Sequence, residues 1–218
     1  MVDSQSDFVK ERLAFVAECI EAAKNEKPKI EDASMGRTAY SFRRGDDPIV
    51  VHHVTVPDVT PQDYKKFTEN YRETIFNYMT EDGTSKPPEM KVLKEINGKE
   101  VLLYRMAGML MVSDRSMIIQ QYAIEEENGA HRFFCSSKES SAMETGEFAK
   151  EIGKDVISTL EIQYYHFRPT EDGKGSHVTH VNCSKPNGSI PNMIVDGIAN
   201  AQCNSLLKMT KYLKTLLR

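Results

Sequence analysis

Apolar and polar positions follow a helical period at the start of the chain, a strand period through its middle and a helical period again at its end. Between Asp7 and about Asn25, Val9, Leu13, Val16, Ile20 and Ala23, flanked by Phe8, Phe15 and Cys19, lie opposite Lys10, Glu11, Glu18 and Glu21. This spacing predicts an amphipathic helix that docks on an apolar surface. After Pro28, the β-branched and aromatic segments 37–44 and 49–56 predict two strands, turned by Gly45-Asp46-Asp47-Pro48. Thr60-Pro61-Gln62-Asp63 supplies a capping hydroxyl, a proline at the first helical position and an acid in the first turn, so it opens a helix. Tyr64, Phe67, Tyr71, Ile75 and Tyr78 mark its buried stripe as far as Met79, and the run 80–88 breaks it.

From Met90 to Lys138 the period is two, with strands expected around 90–96, 99–107, 116–125 and 131–138. Asn97-Gly98 and Asn128-Gly129 tolerate the positive φ that tight hairpins require, and they are the strongest local signals in the chain. Residues 140–153 read as a loop with one helical turn near Phe148. Strands at about 156–168 and 176–184 then flank the turn Glu171 to Gly175, forming a long hairpin. Ser189, ahead of Ile190-Pro191, caps the longest helix, which is expected to run to about Leu216 with Ile194, Ile198, Ala201, Ser205 and Met209 on one face. Strands joined by tight turns make an antiparallel sheet, and such a sheet needs its concave face covered. The reading is an α+β fold, a curved antiparallel sheet covered by the C-terminal helix.

Composition narrows the function. The 218 residues suit one domain spanning 1–218, since no linker-like stretch divides them, and that length is enough to enclose a cavity. With 28 Lys+Arg against 32 Asp+Glu, a net charge of -4 gives no general attraction to nucleic acid. Cys19, Cys135, Cys183 and Cys203 are widely spaced, without a CxxC pair, so reduced thiols are expected and neither a metal site nor a disulfide framework. No apolar run reaches the length of a signal peptide or a membrane span. A cytoplasmic monomer that needs no cofactor is expected, with any membrane contact transient and peripheral.

Two segments carry a family resemblance. Asn182-Cys183-Ser184-Lys185-Pro186-Asn187-Gly188-Ser189-Ile190-Pro191, leading into Met193-Ile194-Val195-Asp196, resembles the final strand, turn and lid-helix opening of the StAR-related lipid-transfer (START) family. Ser113-Asp114-Arg115-Ser116-Met117 resembles the start of that family's central strand. The resemblance extends from about Tyr40 to Arg218. It implies the helix-grip (Bet v 1-like) architecture, in which the sheet wraps the long C-terminal helix around an apolar cavity. It also implies a non-enzymatic protein that binds one lipid, phospholipid or sterol-like, and transfers it between membranes. Two other roles stay open: a module that senses lipid, and an enzyme acting on an apolar substrate, for which His53, His180 and Tyr104 would be the acid–base candidates.

Alternation nominates the lipid-facing residues. If Met117 faces inward, so do Ile119, Gln121 and Ala123, and Leu102, Tyr104 and Met106 face them from the neighbouring strand. On the last strand Val178, His180, Asn182 and Ser184 share a face, inward or outward, and His180 and Asn182 are the candidates there. From the final helix come Ile194, Ile198 and Ala201. Gly197, Asn200 and Asn204 interrupt that helix's apolar face, although glycine costs about 1 kcal/mol against alanine in a helix interior. Such a composition fits a lid that loosens, and it also fits an ordinary core helix with surface asparagines. The resemblance makes Ala107 to Val112 the loop that meets the lid, with Met109, Leu110, Met111 and Gly197 as gate residues. A strand end buried under the first helix is the other reading. Sterol-binding relatives place an arginine where this chain has Gln121, and choline-binding relatives place rings where it has Met117, so the lipid class stays open. His52 and His53 face opposite sides of a strand and cannot chelate one metal together. Replacing Met109 and Leu110 by serine is expected to slow lipid transfer between vesicles without unfolding the protein, and an unchanged transfer rate would refute the gate.

Overall fold

The computed structural model describes residues 6–74, 88–96, 98–108, 112–138 and 146–217, the Ala201 side chain excepted. Helix α1, Asp7–Ala23, is capped by Ser6, whose hydroxyl accepts from the Val9 amide. The short strand β1, Ile30–Asp32, leads into β2, Arg37–Arg44, and β3, Asp47–Val56. Helix α2, Pro61–Glu69, opens with the expected reciprocal cap: the Thr60 hydroxyl accepts from the Asp63 amide, and the Asp63 carboxylate accepts from the Thr60 amide at 2.9 Å. It stops at Asn70, whose side chain turns back to the Lys66 carbonyl, and helical conformation resumes over 71–74. The helix anticipated to Met79 is therefore interrupted, and Ile75, Tyr78 and Met79 lie outside the described residues.

The meander runs through β4, Glu89–Ile96, β5, Lys99–Met106, β6, Arg115–Glu125, and β7, His131–Ser136. Gly98 and Gly129 take φ of 74° and 78°, as their hairpins demand. A single helical turn, α3, Ala149–Ile152, precedes β8, Val156–Ile157, β9, Thr159–Pro169, and β10, Ser176–Lys185. The order across the sheet is β1-β2-β3-β10-β9-β7-β6-β5-β4, all antiparallel, so the sheet is open at both ends. The two-residue β8 lies parallel to the start of β6, the one departure from the antiparallel pattern among the described strands.

The expected C-terminal helix is present but divided, as α4, Asn192–Gln202, and α5, Ser205–Leu216. At the break an arginine takes over a helix carbonyl: Arg37, on β2, donates to the Cys203 carbonyl at 3.0 Å and to Asn204 Oδ1 at 2.8 Å. A carbonyl bound in this way is drawn out of the helical ladder, and the Ser205 hydroxyl caps the end of α4 by donating to the Gln202 carbonyl.

The two faces of the sheet hold different cores. On the convex face, Val9, Val16, Cys19 and Ala23 of α1 pack on Ile49, Val51, Tyr164, Val181 and Cys183, which is the apolar surface the first helix needed. On the concave face, α2 and α5 bring Tyr64, Phe67, Leu206, Met209 and Leu213 against Phe133, Tyr165 and Phe167. Tyr64 stacks on Phe167 at 4.3 Å, and its hydroxyl meets that of Thr210, so one ring ties both helices to the sheet. All four cysteines are buried free thiols, and burial pushes Cys19 up to about 11 and Cys183 up to about 12.

Two histidines lie deep in the concave layer, side by side on β3 and β10. His52 accepts from Arg37 Nε at 3.2 Å, and neither ring nitrogen of His180 has a hydrogen-bond partner among the described residues. Burial, helped by the neighbouring His180, Arg37 and His53 charges, holds His52 down at about 3, and burial alone holds His180 at about 4. Both values lie below the ordinary 6.5, so the unfolded chain takes up these protons first as pH falls. The contribution of these histidines should be constant above pH 7 and fall as pH drops below 6.5, by up to about 1.4 kcal/mol per pH unit for each. Urea unfolding at pH 7 and pH 5 tests this, with His180→Phe expected to lessen the pH dependence, and equal stability at both pH values would contradict it.

Candidate functional site

The aromatic plug fills only part of the concave face. Over the remainder α4 roofs a cavity of about 910 Å³. Its floor is made by Met90 of β4, Tyr104 and Met106 of β5, Met117 and Ile119 of β6, Leu160 and Gln163 of β9, and Asn182 and Ser184 of β10. Ile194, Val195, Gly197, Ile198, Ala199 and Gln202 line it from α4. Ala107, Gly108, Val112, Pro186 and Ile190 close the end nearest the β5–β6 and β10–α4 connections.

Alternation brings most of the nominated residues together. Tyr104 and Met117 are register partners, as are Leu102 and Ile119, so both strands present one face inward. The inward face of β10, undecided in the sequence, is the one carrying Asn182. Tyr104, Met106, Met117, Ile119, Asn182, Ile194, Ile198 and Gly197 all line the cavity. Leu102, Gln121 and His180 share the correct face but do not line it. Leu102 is enclosed in the aromatic core, Gln121 lies beyond Ile119 opposite Cys135, and His180 is stacked on Tyr165 at 4.6 Å. Strand period gives a side of the sheet but not how far along it the plug extends. Met109, Leu110 and Met111 lie outside the described residues, as does the Ala201 side chain.

Several lining residues were not nominated. Leu160 and Gln163 sit three apart on β9 and would face opposite sides of a regular strand. A register shift makes Ser184 pair with Leu160 while Cys183 pairs with Ile162, leaving Glu161 as an extra residue. Ile162 and Glu161 both turn to the convex side, where Glu161 meets Arg12 and Lys185. Met90 was legible as a strand residue without any sign of which side it faced, and Pro48, expected in a turn, is the second residue of β3. Asn200 and Asn204 are not in the lining: Asn200 is exposed, and Asn204 accepts from Arg37. Arg105 faces away, as alternation from Tyr104 requires, donating to Asp155 at 2.6 Å and Glu89 at 3.1 Å.

The turn between β10 and α4 closes one end of the cavity. Asn187 and Gly188 take successive left-handed conformations, φ 52° and 67°. Asn187 is tolerated there because asparagine visits this region and its amide is engaged, donating to the Ile157 carbonyl at 2.9 Å. The Ser158 hydroxyl holds the Pro186 carbonyl at 2.7 Å. These ties fix the start of α4 to the sheet.

A large antiparallel sheet, open at its edges and roofed by a C-terminal helical segment over an apolar cavity, is the arrangement of solved StAR-related lipid-transfer structures. The chain has the START fold. Human STARD10 superposes with a TM-score of 0.68 at 15% identity, over 97% of this chain and 81% of that one. Human StAR-related lipid transfer protein 5 gives a TM-score of 0.68 at 11% identity, over 96% and 97% of the two chains. A StAR-related lipid transfer protein from Xanthomonas axonopodis gives 0.57 at 14% identity, over 85% and 97%. No family model matches the sequence, and no curated protein matches it by sequence.

The roof of this START fold is uneven. α5 buries Leu206, Met209 and Leu213, each contributing about 1.5–3 kcal/mol. α4 buries Val195 and Ala199 but leaves Met193 81% and Ile198 40% exposed, so opening it costs less. Arg37 pins the junction between the two. Arg37→Met removes its bonds to His52, Cys203 and Asn204, and is expected to cost about 2–3 kcal/mol. Hydrogen exchange should then quicken around 199–206 more than in α1, and an unchanged exchange pattern would show that the clamp is unimportant.

Proposed function

We propose that this protein binds a single lipid in the cavity beneath α4 and carries it between membranes. The cavity is the observation that carries the reading. Its volume of about 910 Å³ is at the upper end of small-molecule pockets, and half of its lining residues are methionine, isoleucine, leucine, valine and alanine. Each acyl methylene buried in such a space contributes about 0.8 kcal/mol, so the chains of a lipid supply affinity with little headgroup chemistry. The weakly buried α4 offers a route in and out. The fold shared with proteins titled as lipid-transfer proteins supports the same reading.

Among the described residues no helix is long and apolar enough to cross a membrane, which fits a carrier that visits membranes from their surface. Catalysis is the weaker reading. Of its three acid–base candidates, His180 is sealed in the core and His53 is hydrogen-bonded to Thr179, so only Tyr104 faces the cavity. Transfer is preferred to sensing because α4, although tied to the sheet at its start and through Asp196 to Arg43, buries smaller side chains than α5.

Native mass spectrometry of the protein after incubation with mixed-lipid vesicles should show one lipid per chain, released intact by solvent extraction. A vesicle-to-vesicle assay should then show transfer accelerated in proportion to protein concentration. Failure to take up lipid of any class would reject the binding reading, while uptake without transfer would favour a sensor.

A further inference from the structure

Three arginines are buried among the described residues, and two of them have their charge or their donors accounted for. Arg12 is paired with Glu11 and Glu161. Arg37 spends its donors on His52, Cys203 and Asn204. Arg115, the first residue of β6, is different. It is only 7% exposed and lines the cavity, yet it forms no ion pair with any described carboxylate. One terminal nitrogen donates to the Ser113 carbonyl, the other reaches the Asn187 carbonyl only at 3.5 Å, and the buried Nε has no partner among the described residues. A guanidinium has five N–H donors in a fixed fork, suited to binding an oxyanion through two parallel bonds. Here much of that capacity is unspent beside an apolar space.

The rest of the lining sharpens the point. Its described residues include no aspartate and no glutamate. The second cation is Lys185, which is balanced from outside the cavity by Asp47 at 3.0 Å and Glu161 at 3.4 Å. Among the described residues, then, nothing compensates the positive charge of Arg115 at this end of the cavity. A choline or ethanolamine head would bring a cation of its own, and it would find no carboxylate and a single described ring, Tyr104, where a cation–π cage needs several.

We propose that Arg115 anchors the head of a net-anionic lipid, an oxyanion of phosphate or carboxylate chemistry, and that the protein selects such lipids over zwitterionic ones. The proposal rests on the lipid-binding reading and adds the class of lipid. The oxyanion would take the N–H donors that the two terminal nitrogens have left, while Ser184 and Asn182, also in the lining, supply neutral hydrogen-bonding groups on the neighbouring wall. Acyl chains would extend away from this charged end between Met117, Ile119 and Ile198.

The test uses the full chain, incubated with phosphatidylcholine vesicles that contain a minor fraction of either phosphatidic acid or oleic acid. The protein is separated from the vesicles, and its bound lipid is quantified by mass spectrometry, so that attraction to a charged vesicle surface does not count. At least about tenfold enrichment of an anionic lipid over its share in the vesicle is expected, as charge-assisted bonds of this kind provide. Enrichment of phosphatidic acid alone assigns a phosphate ligand, and of oleate alone a carboxylate. Arg115→Met should bring the enrichment to about one, and Arg115→Lys should retain part of it. If Arg115→Met does not fold, Arg115→Gln, which can still donate to the neighbouring carbonyls, takes its place. Phosphatidylcholine bound in proportion to its abundance, or enrichment that survives loss of the arginine's charge, would overturn the anion proposal while leaving lipid binding intact. Absence of any bound lipid would overturn both.

Discussion

The structure depends on how an open antiparallel sheet covers its concave face. The apolar side chains on that face must leave water, and the helices that cover them have to span ten strands with few large residues. α2 and α5 solve this for part of the sheet by inserting rings and long aliphatic chains, so that Tyr64, Phe67 and Tyr71 meet Phe133, Tyr165 and Phe167 in a solid core. α4 presents valine, alanine, glycine and isoleucine to its part of the sheet and does not reach the floor. The cavity is what remains between a well-filled half and a thinly roofed one. Its walls come from the same inward face that forms the core a few residues along each strand.

The division of the C-terminal segment follows from this arrangement. A single continuous helix would have to satisfy both halves with one axis and one apolar stripe. The break at Cys203 and Asn204 separates a segment that packs tightly from one that packs loosely, and Arg37 holds the joint. Arg37 has no carboxylate partner within ion-pair distance among the described residues, but its donors are met by neutral acceptors, which makes its burial tolerable. Its bond to His52 adds a condition, since His52 can accept only while that nitrogen is unprotonated. The anchorage of the roof and the protonation of His52 are thus parts of one hydrogen-bonded layer between sheet and lid.

Arg115 marks the contrast between structural and ligand-directed polarity. Folding ordinarily leaves a buried cation with a counter-charge or a full set of acceptors, as Arg12 and Arg37 illustrate. A cation that faces an apolar cavity with neither has its missing partner where a ligand would sit. The Asn187-Gly188 turn presents a carbonyl near the guanidinium and keeps the connection into α4 beside it, so the charged end of the cavity and the hinge of the lid are built from the same few residues.

Local chemistry in the sequence determined the elements. The cap at Thr60, the hairpin turns at Gly98 and Gly129, the period of two through the meander and the helical period at each end depend on neighbours in the chain, and they appear in the structure where the sequence put them. Strand alternation also grouped the residues that share a face on β5 and β6, because that choice is made once for a whole strand, and taking Met117 as inward then oriented both. What depends on distant partners was not legible. The depth of the aromatic plug decided that Leu102 and His180 are enclosed while Met117 and Ile119 line the cavity, and Gln121, half-buried, lies beyond it. A bulge at Glu161 brought both Leu160 and Gln163 inward against the alternation rule. An arginine from the second strand divided a helix whose own sequence reads as continuous. Only the tertiary structure could show that Arg115, known from the sequence as part of the segment Ser113 to Met117, is buried without a counter-charge among the described residues, because the absence of a partner is a property of everything around a side chain and not of its place in the sequence.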